Sequence, residues 1–380
     1  MKEVGIIAWA HSEFSPRNEG MSRNELLYQV TKKVLEEAGM EIGQIDMVIS
    51  ASCDTVDGTS ISNAYVVDEM GAYMKEESKV EEDGAYALAY AYYRLLTGQY
   101  NNCLVVSHGK ISDSAPAFYT NMSCDPFLLR PLGLTGESAA ALQARVYAHR
   151  FGATEEDFAA VAVKNRRLGS INPHTQLKSP VTLEEVLASP VVASPLRELT
   201  TAPVTDGAAA VIMATGEYAR ERGKDLVRVE GIGFSQDLYY PGNKDLSTSA
   251  SAKAAAAMAY REAQVKDPLR ELDFAEITEQ HAFYELLLYE ALGWCGPGEG
   301  RRLLAEGVTD REGEFPVNPS GGALCANPVM SAGLVRVVEC CRQLTGTAEG
   351  YQLPKPVRRA LAHACSGLFL QSNLAIILGI

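Results

Sequence analysis

The sequence predicts an α/β protein in which helices cover a mostly parallel sheet. Short apolar runs of strand length, at residues 4–8, 46–50 and 103–107, alternate with amphipathic helical patterns at residues 23–38 and 85–96. The run at 103–107 is apolar on both faces, which is typical of a strand buried between helix layers. Alternation of this kind favours βαβ units.

The same alternation of strand and helix patterns returns in the second half of the chain. Residues 111–199 interrupt it with prolines, polar turns and short helices, and a long excursion inside a compact fold is usually a functional cap. After a small-residue strand at 207–213, further strands are predicted at 226–232, 274–278, 360–364 and 374–378, and helices at 247–262, 285–292 and 332–344. The matching order indicates a duplication, with an N-terminal half at 1–215 that includes the cap and a C-terminal half at 216–380.

Composition excludes several classes of function. The 380 residues carry a formal net charge of -14, so we expect no nucleic-acid partner, which would need clustered Lys and Arg. No stretch of eighteen apolar residues and no signal-peptide pattern occurs, so we expect a cytoplasmic protein without a membrane partner. The eight cysteines are irregularly spaced without a CxxC pair, which predicts neither a disulfide framework nor a metal site.

Four segments carry recognisable chemistry, and each also has a purely structural interpretation. The paired glycines of 318–328 let the backbone approach a ligand, although a turn before a helix is the commoner cause. Residues 363–367 place a cysteine at a strand end, where it is either an acid/base thiol or a small core residue. The segment 206–210 favours tight packing. Residues 276–283 combine a carboxylate and an imidazole, which suits proton transfer or a solvated loop equally.

In this order the four segments resemble the thiolase superfamily, in particular the branch related to sterol-carrier-type and archaeal thiolases. Further matching stretches lie at 172–176, 181–187, 288–293 and 297–300, so the resemblance covers nearly the whole chain. It implies the thiolase fold, with duplicated βαβαβ halves in an α-β-α-β-α layering. It also implies a homodimer core, coenzyme A or acyl-CoA bound as substrate under the cap, and no permanently bound cofactor.

The sequence departs from the family where the nucleophilic cysteine is usual. Alignment places Glu81 at that position, just before the helix at 85–96, and no cysteine occurs in the surrounding 80–84. A helix N-terminus stabilises a carboxylate as well as a thiolate, so helix capping is the alternative role of this acidic cluster. In the family's Gly-His-Pro loop, the histidine is replaced by Asn327, whose amide can stabilise an oxyanion but cannot act as a base.

Other parts of the family's site are retained or altered. The resemblance implies that Cys365 is the acid/base cysteine and that Glu279 is the retained loop carboxylate. His281 adds an imidazole where an aromatic residue is usual. Cys325, two residues before Asn327, is a candidate replacement nucleophile on sequence neighbourhood alone.

Coenzyme A contacts are predicted by region. Ser247 and Ser249 begin the helix where family members contact the pantetheine arm, and the cap around Arg130, His174 and Lys178 should cover the nucleotide. The backbone at Gly322 is a further candidate contact. Each polar side chain serves equally well as an ordinary surface residue.

Three functions remain open on the sequence. The favoured one is thiolase-type exchange between a β-oxoacyl-CoA and CoA at an atypical site, on a bulky or aromatic acyl group in a degradation pathway. The alternatives are a CoA-dependent retro-aldol lyase, which needs no acyl-enzyme, and a non-catalytic acyl-CoA-binding subunit. The resemblance also implies a small partner subunit that combines a zinc ribbon with an OB fold.

Overall fold

The computed structural model describes residues 3–380, apart from the side chain of Pro116. The strands are β1 (Val4–His11), β2 (Met47–Ala51), β3 (Glu76–Val80), β4 (Asn102–Lys110), β5 (Val191–Ala193), β6 (Leu196–Arg197), β7 (Asp206–Thr215), β8 (Val227–Gln236), β9 (Phe274–Glu276), β10 (Arg359–Ser366) and β11 (Ser372–Gly379). The α-helices are α1 (Arg23–Ala38), α2 (Asp54–Asp57), α3 (Gly84–Leu96), α4 (Pro116–Met122), α5 (Gly136–Phe151), α6 (Glu155–Gly169), α7 (Leu183–Ala188), α8 (Gly216–Glu221), α9 (Ala250–Glu262), α10 (Pro268–Glu271), α11 (Ala282–Ala291), α12 (Gly300–Ala305) and α13 (Ala332–Thr345).

Nine strands form one sheet in the order β3-β2-β4-β7-β1-β8-β11-β10-β9, and β5 pairs with β6. Three neighbouring pairs are parallel and five are antiparallel, so the expectation of a mostly parallel sheet is wrong. An apolar run indicates burial on both faces but not strand direction. β7 follows the long cap and β11 follows β10 through a short turn, and neither connection is the crossover helix that parallel neighbours need.

The strand order is mirrored about the seam between β1 and β8. Outward from the seam, β1, β7, β4 and β2 correspond to β8, β11, β10 and β9, with the same relative directions at each step. The last strand of the first half, β3, corresponds to a single parallel bridge between Ala275 and Val317. A duplicated unit produces this mirror order.

The predicted five-layer arrangement is confirmed. α3 and α13 lie between the two halves of the sheet and share one apolar core with both. α1 covers the outer face of the first half, and α9 and α11 cover the outer face of the second together with the cap helices α5 and α6. Apolar faces on both sides of every central strand account for the near-complete burial of β2, β4, β7 and β11.

Local signals explain where individual elements begin and end. Ser22 and Glu25 form a capping box at the start of α1, and Gly39 closes the helix at φ 60°, so α1 has the bounds 23–38 predicted from the sequence. β3 is not predicted from the sequence because Glu76–Val80 contains a single apolar residue and so lacks the apolar pattern of a strand. Its strand geometry comes from parallel pairing with β2 at the edge of the sheet. None of the helices described between residues 3 and 380 is long and apolar enough to cross a membrane.

Candidate active site

A cavity of about 370 Å³ opens where the first turn of α3 meets loops from the second half. Its polar wall contains carboxylates, thiols, hydroxyls and an imidazole, contributed by Cys53, Glu81, Glu82, Tyr119, His281, Tyr284 and Cys365. Its apolar wall includes Leu368 and Phe369, from the turn between β10 and β11. The cavity therefore combines proton-transfer groups with a surface for an apolar chain.

Cys365 lies at the end of β10 and is 6% exposed. Its Sγ donates a hydrogen bond to the carbonyl of Thr278 (3.4 Å), and the hydroxyl of Thr278 donates to the carbonyl of His363 (2.9 Å). These bonds hold the loop before α11 against the strand end. Burial raises the pKa of Cys365, and the nearby carboxylates raise it further, so the group is a thiol at neutral pH.

His281 is the residue that precedes α11, and its ring packs edge-on against Tyr284 with 5.5 Å between centroids. Its Nδ1 lies 3.4 Å from the hydroxyl of Thr201, where the chain returns from the cap. Burial lowers the pKa of His281 to about 4, so the imidazole is neutral.

Glu81 sits at the mouth of the cavity, and about half of its side chain is exposed. One carboxylate oxygen accepts from the backbone N–H of Asp54 (2.6 Å), and the other pairs with Lys79 (2.6 Å). Lys79 also pairs with the Asp54 carboxylate. The carboxylate that alignment places at the position of the thiolase nucleophile is therefore held in a salt-bridge cluster.

Asn327 is the first of several predicted residues that the structure places outside the main cavity. Asn327 faces an adjoining cleft of about 110 Å³ that shares Tyr119, Gln280 and His281 with it. The Asn327 backbone N–H donates to the hydroxyl of Thr205 (3.0 Å), while its side-chain oxygen is buried without a partner among the described residues.

Cys325 is fully buried, and its Sγ donates to the carbonyl of Asn165 (3.3 Å). A Cβ at Gly169 would lie 2.5 Å from this sulfur, so α6 covers it. Burial raises the pKa of Cys325 to about 12. The sequence neighbourhood that suggested a replacement nucleophile therefore does not bring this thiol to the cavity.

Glu279 is also fully buried and lies behind the cavity wall. Its Oε1 accepts from the Asn165 side chain (3.0 Å) and from the backbone N–H of Leu324 (3.1 Å). Gly322 packs against the same oxygen, because a Cβ there would lie 2.0 Å from it. The paired-glycine segment thus leaves space for the buried Glu279 carboxylate. Neither Glu279 nor Gly322 lines the cavity.

The remaining predicted coenzyme A contacts lie elsewhere. Ser247 and Ser249 are buried and hydrogen-bonded within the protein, to Asp245 and to Asn373 respectively. Arg130 donates to the carbonyls of Met122 and Cys124 inside the cap. His174 lines a different cleft, beside Arg342 and Glu349, and Lys178 is exposed.

Four cavity residues were missed from the sequence. Cys53 precedes α2, far in sequence from the motifs that locate the site, yet it lines the cavity. Burial raises its pKa, and the charge of Glu81 adds to the increase. Tyr119 comes from α4 of the cap, Tyr284 is one turn into α11, and Glu82 follows Glu81. Of these four, Glu82 could have been found from the sequence, because it belongs to the acidic triplet 81–83 before α3. Nothing in the sequence distinguishes the two tyrosines among the 17 tyrosines of the chain.

The chain belongs to the thiolase family. Residues 4–217 match the family's N-terminal domain, and residues 236–380 match the thiolase C-terminal domain-like family. The chain is 32% identical to benzoylsuccinyl-CoA thiolase subunit BbsB of Thauera aromatica, over 66% of this chain and 64% of that protein. It is 26% identical to the 17-hydroxy-3-oxo-4-pregnene-20-carboxyl-CoA lyase of Mycobacterium tuberculosis, over 91% and 92% of the two chains.

Solved structures share the fold. The structure described as Ltp2-ChsH2(DUF35) aldolase superposes with a TM-score of 0.85 over 99% of this chain and 97% of that one, at 23% identity. The recognised family and fold are thereby confirmed.

Proposed function

We propose that this protein makes or breaks a carbon–carbon bond next to the thioester of an acyl-CoA as an aldolase-type lyase, without an acyl-enzyme intermediate. In the cleavage direction a β-hydroxyacyl-CoA gives a carbonyl compound and a shorter acyl-CoA. The sequence alone favoured thiolase-type exchange, and the state of the cavity thiols changes that preference.

The observation that carries the proposal is the absence of an activated thiolate among the described cavity residues. Acyl transfer to cysteine requires a thiolate, which a helix N-terminus or a neighbouring cation normally stabilises. Here Glu81 occupies the region before α3, and burial raises the pKa of both cavity thiols, Cys53 and Cys365. Both are protonated at neutral pH.

The same groups suit aldol chemistry. Cleavage leaves an enolate on the thioester, which needs hydrogen-bond donors and a proton at Cα. The hydroxyls of Tyr119 and Tyr284 line the cavity without partners among residues 3–380, and they are available to the enolate oxygen. The Cys365 thiol is placed to supply the proton to Cα.

Thiolysis through a relocated cysteine is the second candidate. Cys365 and Cys53 both face the cavity, and one relative is named as a thiolase subunit. In this version a general base would have to remove a proton from one thiol before acyl transfer.

We propose two kinds of partner, a second copy of the chain and a small separate subunit. Among the described residues β3 pairs only with β2, and Tyr65, Tyr73 and Met74 near it are 62%, 73% and 87% exposed. An open edge with apolar neighbours fits a dimer interface. A separate partner chain is supported by the solved structure that joins Ltp2 to ChsH2(DUF35) and by the description of BbsB as a thiolase subunit.

The test supplies β-hydroxyacyl-CoAs with aliphatic and aromatic substituents, with and without co-purifying protein, and follows carbonyl release. In parallel, β-oxoacyl-CoAs are supplied with free CoA. Intact-protein mass spectrometry and peptide mapping look for acyl adducts. Cleavage of the hydroxy substrate without added CoA and without an adduct supports the lyase. An acyl adduct on Cys365 or Cys53 contradicts it in favour of thiolysis, and binding without turnover indicates a non-catalytic subunit.

A further inference from the structure

Three consecutive carboxylates, Glu81, Glu82 and Asp83, precede α3, and their environments differ. Both oxygens of Glu81 have partners, as described above. Asp83 is 4% exposed and accepts three backbone N–H groups, from Ala85, Gly333 and Leu334. Glu82 faces the cavity, and its Oε2 is buried without a hydrogen-bond partner among the described residues.

A buried carboxylate oxygen without a partner is costly, so its persistence calls for an explanation. Glu81 and Asp83 are held by donors that stabilise their charged forms. Glu82 has neither a cation nor a backbone donor at Oε2, so nothing at that oxygen fixes the carboxylate in its charged form.

The neighbours of Glu82 are acidic or neutral. Burial raises the pKa of Glu82; a hydrogen bond with the Ser366 side chain opposes this increase, and the charges of Asp83 and Glu81 add to it. The charge of Glu82 in turn raises the pKa of Cys365, at the end of β10, and of Tyr86, on α3. His281, across the cavity, is neutral. A carboxyl group whose pKa is moved toward neutrality is suited to general acid/base work.

We propose that Glu82 is the catalytic base that removes the proton from the β-hydroxyl group of the acyl-CoA substrate. This inference rests on the proposed lyase function and assigns one of its steps. The O–H proton passes to the Glu82 carboxylate, the β-carbon becomes a carbonyl, and the bond between Cα and Cβ breaks. Its electron pair forms the thioester enolate, whose Cα takes the proton of Cys365.

The cycle closes within the same cavity. After the step Glu82 is protonated and Cys365 is a thiolate, so one proton returned from Glu82 to Cys365 restores both groups. No oxidant, metal or added cofactor is needed, because every proton and electron pair is accounted for by the substrate and these two side chains.

The experiment compares Glu82→Gln and Glu82→Asp with the wild type and with Glu217→Gln, an exposed residue at the start of α8. The substrate is the β-hydroxyacyl-CoA that the wild type cleaves. We expect Glu82→Gln to lower kcat by roughly 100-fold or more with little change in KM. Glu82→Asp should retain part of the activity. The rise of kcat/KM with pH through the Glu82 ionisation should disappear in Glu82→Gln.

A second readout tests protonation at Cα. Exchange of the Cα protons of the acyl-CoA product with D₂O should vanish in Cys365→Ala and fall in Glu82→Gln, because Cys365 must pass its proton to Glu82 before it can remove one from Cα. If the wild type cleaves the substrate but Glu82→Gln keeps its rate and pH profile, Glu82 is not the base, while the lyase function stands. If the wild type cleaves no β-hydroxyacyl-CoA, the lyase function and the role of Glu82 fall together. Thermal unfolding checks that each variant is folded.

Discussion

The carboxylate of Asp83 accepts a hydrogen bond from the backbone N–H of Gly333 at 2.9 Å, although 250 residues separate them in the chain. The same side chain accepts from Ala85 at the start of α3 and from Leu334 in α13. One buried carboxylate therefore caps both central helices and fastens the first half of the molecule to the second.

Replacement of Asp83 by Ala should destabilise the protein by about 2–4 kcal/mol, because two helix N-termini lose a charged acceptor. The free energy of unfolding from urea titration measures the effect. Asp225→Ala, on the exposed loop after α8, should change that free energy by less than about 0.5 kcal/mol. Equal effects of the two substitutions would show that Asp83 does not join the helices energetically.

Glu279 should make the protein less stable as pH rises. Burial and the neighbouring Glu285 carboxylate raise the pKa of Glu279 above its ordinary value of 4.5. At pH values between 4.5 and the raised pKa, Glu279 keeps its proton in the folded chain but has lost it in the unfolded chain. The free energy of unfolding therefore falls as pH increases.

The variant Glu279→Gln should reduce this decline, and its stability relative to wild type should improve from about pH 5 toward pH 8. Some decline should remain, since burial also raises the pKa of Glu276, to about 7. Urea titrations at several pH values measure the slope, with Glu217→Gln, an exposed residue of α8, as the surface control. A variant whose slope equals that of wild type would mean that Glu279 is ionised in the folded protein.

Tyr284→Phe should lower turnover by roughly 100-fold, as expected when one donor to a developing oxyanion is lost. Stability should hardly change, because the hydroxyl has no partner among the described residues of the free protein. Steady-state kinetics and thermal unfolding check the two statements. The control is Tyr28→Phe, 56% exposed on α1; a matching loss of activity in that variant, or none in Tyr284→Phe, would remove Tyr284 from the mechanism.

Tyr73→Glu should weaken the proposed homodimer by at least about tenfold in Kd, because a charge would be buried at the edge of β3. Analytical ultracentrifugation over a concentration series measures it. Phe127→Glu, on the cap and 84% exposed in the wild type, should leave the dimer intact. A dimer that survives the first change but not the second would move the interface to the cap.

Strongly patterned elements could be predicted from the sequence. α1 has both a capping box and a terminal glycine, and the predicted runs at 103–107 in β4 and 207–213 in β7 contain one polar residue, Ser107. Strand direction and the charged edge strand β3 could not be predicted, because tertiary pairing determines both.

The site was less predictable than the fold. His281, Cys365 and Glu81 do meet at one cavity, and each lies at the end of an element that family motifs locate. Tyr119 and Cys53 arrive from segments far away in sequence, which only the folded chain brings together. Glu279 and Cys325 belong to motifs but point away from the cavity, since proximity in sequence does not determine the direction of a side chain.

The seam between the halves has a mechanical consequence. Only two registered pairs, Gly5–Arg228 and Ile6–Val227, join β1 to β8, so the ladder across the seam is short. The halves also adhere through the non-directional packing of α3 and α13, which accommodates small sliding movements better than a long hydrogen-bonded ladder. Because the cavity has one wall from each half, a slight shear between them changes its width without any change in the side chains that line it.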